Sequence, residues 1–139
     1  MYRDITPNFI QKLGKSEVFV FGSHVSARHN DGAAILAKAY FGACVGQKEG
    51  IQGQSYAIPI VGRTVTKRSL MASVLRFTLY ALEHPELTFY VSEIHLTSRK
   101  FPAYQVAIMF YEASKLPNVY LPRLYWDELE FSEEFKASL

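Results

Sequence analysis

Arg28 is the side chain best suited to holding a phosphate, because a guanidinium offers parallel N–H donors to two oxygens. It lies in a polar turn, residues 23–31, between an apolar run ending at Gly22 and a segment that opens Gly32-Ala33-Ala34. Small residues at a helix start leave the first N–H groups open, and the helix dipole favours an anion there. The same small residues would also let a helix pack close to a sheet. For Arg28 the alternative is an ion pair with Asp31 or a solvated position. A second glycine-bearing segment, GQKEGIQGQ at 46–54, follows. Its Gln47, Gln52 and Gln54 can bond a base or a ribose, or satisfy the loop's own backbone. Two such segments flanking one strand end suit a nucleotide or phosphate at the carboxyl edge of a sheet. The candidate ligand-binding residues are therefore Gly22, Ser23, His24, Arg28, Asn30, Asp31, Gly32, Ala33, Gln47, Gly50, Gln52, Gly53 and Gln54. No residue is assigned a catalytic role.

Other chemistries lack their residues. The spacing from Gly22 to Gly32 fits neither a P-loop nor a dinucleotide fingerprint, and no Gly-Lys-Ser/Thr occurs. His24 and His29 have no cysteine or carboxylate cluster to complete a metal site, and His84 and His95 stand far apart. Ser23, Ser55 and Cys44 are conceivable nucleophiles, but none lies in G-x-S-x-G or has an evident base. Cys44 is expected to be a buried small apolar residue. No metal and no cofactor is expected.

With 139 residues the chain suggests one domain, residues 1–139. A chain of this size buries roughly 68% of its unfolded surface. A net charge of +2 is too mild to argue for nucleic acid. The single cysteine excludes an intrachain disulfide and fits a reducing compartment. The N-terminal stretch lacks the apolar core of a signal peptide, and no apolar run approaches a membrane span. A cytoplasmic protein without membrane attachment is expected.

The positioning elements follow from periodicity. Residues 18–21 and 55–60 read as buried strands, and 87–91 and 118–121 as further ones. A helix is expected over 32–41, with Ile35, Leu36, Ala39 and Tyr40 at helical spacing. Thr66 can cap a helix over 67–84 with the stripe Leu70, Met71, Val74, Leu75, Leu79 and Leu82. Pro102 suits the first turn of a helix running to about Lys115, on Val106, Ala107, Phe110 and Tyr111. The tail, with Trp126, Leu129, Phe131 and Phe135 among acids, suggests one or two short helices. Strands alternating with helices predict an α/β fold, three-layer α/β/α, with a mostly parallel or mixed sheet.

The blocks FGSHVSARHNDGAA and GQKEGIQGQSYAIP, at 21–34 and 46–59, resemble a family of macro-domain-like bacterial and phage proteins. Its members read FGSN-x-x-GRHG-x-GAA and GQGEGLQG-x-SYAIPT. The resemblance implies a macro-like fold that binds ADP-ribose or a related nucleotide diphosphate, and any enzyme activity would be an ADP-ribosyl hydrolysis. Asp4-Ile5-Thr6 is similar to the GDIT stretch of macro domains, whose Asp contacts adenine; no glycine precedes it here, and an N-capping role would look the same. His24 stands where the family has Asn, and Ala27 and Asn30 where it has Gly. The family's later glycine-rich loop corresponds to residues 91–100, which contain no glycine. A loop without glycine takes positive φ angles less readily, so the resemblance implies weak binding and slow or lost hydrolysis. The alternatives are a degenerate module acting through protein interaction, and an RNA-binding module using Arg63, Lys67, Arg68, Arg99 and Lys100.

Overall fold

Strand β1 (Glu17–His24) is apolar toward both sides and therefore belongs at the middle of a sheet. Val18 and Val20 point into one hydrophobic layer, and Phe19 and Phe21 into the other. The computed structural model describes residues 4–30 and 32–138. After β1 come α1 (Gly32–Tyr40), β2 (Gly50–Gln52), β3 (Ser55–Val61), α2 (Lys67–Glu83), β4 (Thr88–Val91), α3 (Ala103–Met109), β5 (Val119–Tyr120) and α4 (Arg123–Ser138). The five-stranded sheet has the order β2-β3-β1-β4-β5. β1 runs parallel to β3 and β4, β4 parallel to β5, and only edge strand β2 is antiparallel. Ile5 adds a parallel bridge to Leu121 beyond β5.

Helices cover both faces, which makes the fold a three-layer α/β/α arrangement. On one face Ala34 and Ala37 of α1 press on Phe19, Phe21 and Ala57. The other face carries the larger core, in which Leu70, Val74 and Phe77 of α2, Val106 and Phe110 around α3, and Tyr125, Trp126 and Leu129 of α4 surround Val20, Ile58 and Phe89. Phe77 joins these layers through edge contacts to Tyr56, Phe89 and Phe110. Thr66 caps α2: its Oγ1 accepts from the Ser69 N–H at 3.1 Å, while the Ser69 hydroxyl accepts from the Thr66 N–H at 2.9 Å.

Several sequence expectations change. The segment 46–54 is not loop throughout, since Gly50–Gln52 pairs with β3. The helix begun at Pro102 ends at Met109, and a separate 3-10 turn spans Ala113–Lys115. The tail is one helix; the side chain of Phe135 lies outside those described. On α1 the core face is alanine, whereas Ile35 and Tyr40 are exposed. On α2 the core face is Leu70, Val74, Phe77 and Ala81; Met71, Leu75, Leu79 and Leu82 face solvent. Cys44, expected inside, is exposed. Among the described residues no helix is long and apolar enough to cross a membrane.

Candidate functional site

The connection leaving β1 passes over one face through α1, and the one leaving neighbouring β4 passes over the other through α3. Where connections diverge in this way a crevice opens outside the strand carboxyl ends. A cavity of about 610 Å³ lies there. Its walls are residues 6–11, Phe19 of β1, the start of α1 at Gly32 and Ala33 with Leu36, the segment following β4, and residues 122–124 where α4 begins. Two helices thus start at its rim; in α4 the Tyr125 and Trp126 N–H groups already bond to Pro122 O at 2.9 and 3.2 Å, while α1 brings its positive dipole end to that region.

The polar groups in the wall come from several segments. Thr6 is buried, and its Oγ1 has no hydrogen-bond partner among the described residues. Its backbone N–H is committed to Leu121 O at 2.8 Å, which leaves the hydroxyl as an unpaired buried group in a residue of the wall. Ser92 Oγ is held by Val20 O at 2.7 Å. Glu93 and Arg123 bring one charge of each sign, and Asn8, Gln11 and Thr97 add amides and a hydroxyl. Ile10, Leu36 and Phe19 supply an apolar side, and Phe9 and Leu96, both largely exposed, flank the opening. Gly32 has φ +54°, and an added Cβ would meet nothing within 4 Å, so the approach to the first turn of α1 is open.

Of the residues expected from the sequence, Gly32 and Ala33 line this cavity. Gly22 lies beneath its wall, where a Cβ would stand 2.9 Å from Ile60 Cγ2 and 3.0 Å from Thr97 Oγ1. His24, Arg28 and Asn30 are exposed and do not contribute to the lining; the His24 ring accepts from the Ser26 N–H at 2.9 Å. Asp31 lies outside the described residues. The concave site anticipated between the β1 loop, the start of α1 and the segment 46–54 is displaced, because the first and last of these pack directly on each other. The Ser23 hydroxyl donates to Lys48 O at 2.5 Å, and the Gly46 N–H to Ala27 O at 2.9 Å. Ala27 and His29 hold the loop in the left-handed region, both at φ 54°.

The glutamines of 46–54 are engaged with the backbone around them. Gln47 Nε2 donates to Ile51 O at 2.8 Å. Gln52 is buried; its Oε1 accepts from the Cys44 N–H at 2.7 Å, and its Nε2 donates to Gln47 O at 3.1 Å. Gln54 Nε2 donates to Gly14 O at 2.7 Å. Gly50 has φ +93°, and Gly53, at φ +60°, is packed against Gly42. None of these five lines the cavity. Thr6, Ser92, Glu93 and Arg123 line the site but were not among the candidate residues; the sequence placed Thr6, Ser92 and Glu93 only in segments compared with family loops, and Arg123 in none. Their signal was positional: Ser92-Glu93 follow a strand end, and Arg123 follows another at Pro122.

One further polar pair lies beside this wall. The Tyr125 hydroxyl accepts from the His95 N–H at 3.2 Å and lies 2.9 Å from His95 Nδ1. Burial pushes the Tyr125 hydroxyl up and the His95 imidazole down from their ordinary pKa values. Both stay neutral near pH 7, which anchors the segment after β4 to α4. Among the described residues no group of three metal-ligating side chains occurs. Comparison of the chain with protein-family models, curated proteins and solved structures finds no match.

Proposed function

We propose that the cavity at the start of α1 binds ADP-ribose or a related nucleotide diphosphate, with hydrolysis weak or lost. One observation carries this reading. Of the four segments that resemble or replace macro-domain ligand loops, 46–59 does not line the cavity, but three (4–6, 32–34 and 91–100) contribute to its wall together. They are distant in chain order, so a resemblance without functional content would not require them to meet.

The chemistry at that point suits the ligand. A diphosphate resting on the first turn of α1 would meet open N–H groups without a Cβ in the way at Gly32. The Thr6 hydroxyl supplies a donor whose burial is costly while it stays unpaired. The Arg123 side chain brings positive charge to the same wall. The volume falls within the range of sites for small organic ligands, and the apolar side formed by Ile10, Leu36 and Phe19 suits a base or ribose face. Weak binding follows from the Glu93 carboxylate at the rim, which opposes a diphosphate, and from a segment without glycine where a ligand would need to be wrapped. Loose positioning of the distal ribose forfeits much of the rate enhancement such a hydrolase needs.

A thermal-shift screen with ADP-ribose, AMP, ATP and NAD tests the reading, because a ligand of the native state raises Tm by mass action. ADP-ribose should give the largest rise. Gly32→Glu, which puts a carboxylate where the phosphates would sit, should abolish it, and Thr6→Val should reduce it. No response to any of the four removes the reading. Micromolar ADP-ribose binding with multiple turnovers on an ADP-ribosylated peptide would show an active hydrolase instead.

A further inference from the structure

Helix α2 carries two apolar faces where a helix on a sheet needs one. The first, Leu70, Val74, Phe77 and Ala81, is buried in the core. The second, Met71, Leu75, Leu79 and Leu82, recurs at helical spacing and is about half exposed throughout (50%, 54%, 47% and 58%). Arg76 is turned to another side, where its guanidinium grips the Glu49 carboxylate at 2.5 and 2.9 Å. Tyr104 and Ile108 of α3, which meets α2 through Phe110 and Phe77, and Tyr111 just after α3 are exposed as well. Half-exposed chains of this size each bare roughly 100 Å², so the seven offer roughly 700 Å². That is close to the roughly 800 Å² each partner gives to a standard protein interface.

We infer that this face pairs with a second copy of the same chain, α2 against α2 in antiparallel orientation. The charges of α2 identify the occupant. Its first turn carries Lys67 and Arg68 and no acid; its end carries Glu83 and no base, with Glu86 just beyond. Both ends oppose the helix's own dipole. An antiparallel partner brings the basic end of each helix beside the acidic end of the other, which removes that conflict at both ends at once. The register is self-consistent: Arg68 and Glu83 are centred between Leu75 and Arg76, Met71 and Leu79 on Leu75. A two-fold axis near Leu75 therefore sets Arg68 opposite the partner's acidic end and Met71 opposite its Leu79 side chain. A two-fold interface of this kind closes on itself and stops at two chains.

Sedimentation velocity on the full chain should show a species of twice the 15.8 kDa monomer mass. Leu75→Glu, at an exposed position and with a good helix former, should give a folded monomer by circular dichroism and sedimentation. Arg68→Glu and Glu83→Arg should each weaken dimerisation about tenfold, through like charges facing each other, and the double swap should restore it. A protein that is monomeric at every soluble concentration overturns the inference. So does a dimer unaffected by Leu75→Glu, or a double swap no tighter than the single variants. None of these readouts involves the nucleotide cavity.

Discussion

The His29 imidazole and the Gln52 carboxamide meet inside the protein, with His29 Nε2 3.1 Å from Gln52 Oε1 and 3.1 Å from Gln47 O. Gln52 Oε1 already accepts from the Cys44 N–H, so both neighbours of Nε2 are acceptors and this nitrogen carries the ring proton. The pair joins the loop after β1 to the segment before β3, and it consumes polar groups that looked available to a ligand. Gln52→Leu would leave the Cys44 N–H and the Gln47 and Gly50 carbonyls short of partners. It should lower stability by about 2–3 kcal/mol, read as a fall in urea midpoint with an unchanged m value.

Gly42 and Gly53 touch backbone to backbone. A Cβ on Gly53 would stand 2.7 Å from Gly42 Cα and 2.9 Å from Phe41 O, at φ +60°. Gly53→Ala should cost about 3 kcal/mol through strain and displacement together. Gly32→Ala shares the positive φ but meets nothing within 4 Å, and should cost only about 1 kcal/mol. Thermal denaturation of the two variants side by side separates clash from strain.

Gly22 links the sheet to the cavity. Its absent Cβ makes room for Ile60 and for Ile94 and Thr97 of the 3-10 turn after β4. Gly22→Ala should push that turn outward at a cost of about 1–3 kcal/mol. Because Thr97 also lines the cavity, the variant should lower Tm and weaken nucleotide binding together. A lower Tm with unchanged affinity would separate the turn from the site.

Glu17 should set part of the pH dependence of stability. Its carboxylate accepts from the Tyr90 hydroxyl at 2.6 Å and from the Gly14 N–H at 2.5 Å. These bonds, the Tyr90 one foremost, hold it below the ordinary carboxylate value of 4.5, and the same bond pushes Tyr90 up to about 12. The Glu17 contribution is complete above pH 4.5 and is lost as pH falls through its lower folded value. The Tyr90 contribution is complete below pH 10.0 and is lost as pH rises toward about 12. Urea midpoints across pH should therefore show shallower acid and alkaline limbs for both Glu17→Gln and Tyr90→Phe, with the acid limb flattened more by Glu17→Gln, which also removes the Gly14 bond.

Much of the architecture was legible because local rules act over short stretches. The run Val18-Phe19-Val20-Phe21 can only be buried on both sides, and Thr66 with Ser69 caps α2 by contacts three residues apart. The inward face of α2 was less legible. Leu and Met recur at several angles around that helix, and which angle meets β3 depends on how the helix docks. Cys44 was misplaced for a related reason: its backbone is held by buried Gln52 while its side chain points outward.

The sequence by itself determined the alternation of strands and helices and the open, glycine-led start of α1, since these depend on residue type and spacing within one segment. Only the tertiary structure decided which segments stand beside that start. Thr6, the residues after Val91 and Arg123 lie far apart in the chain and reach one cavity because β1 and β4 are neighbours whose connections leave by opposite faces. The segment 46–54, adjacent in sequence, instead spends its glutamine amides on backbone carbonyls of its own loop and on Gly14 O, and it joins β1 and the loop after it through Lys48 O and the Gly46 N–H. A buried polar group must be paired, and the fold supplied those partners before any ligand could.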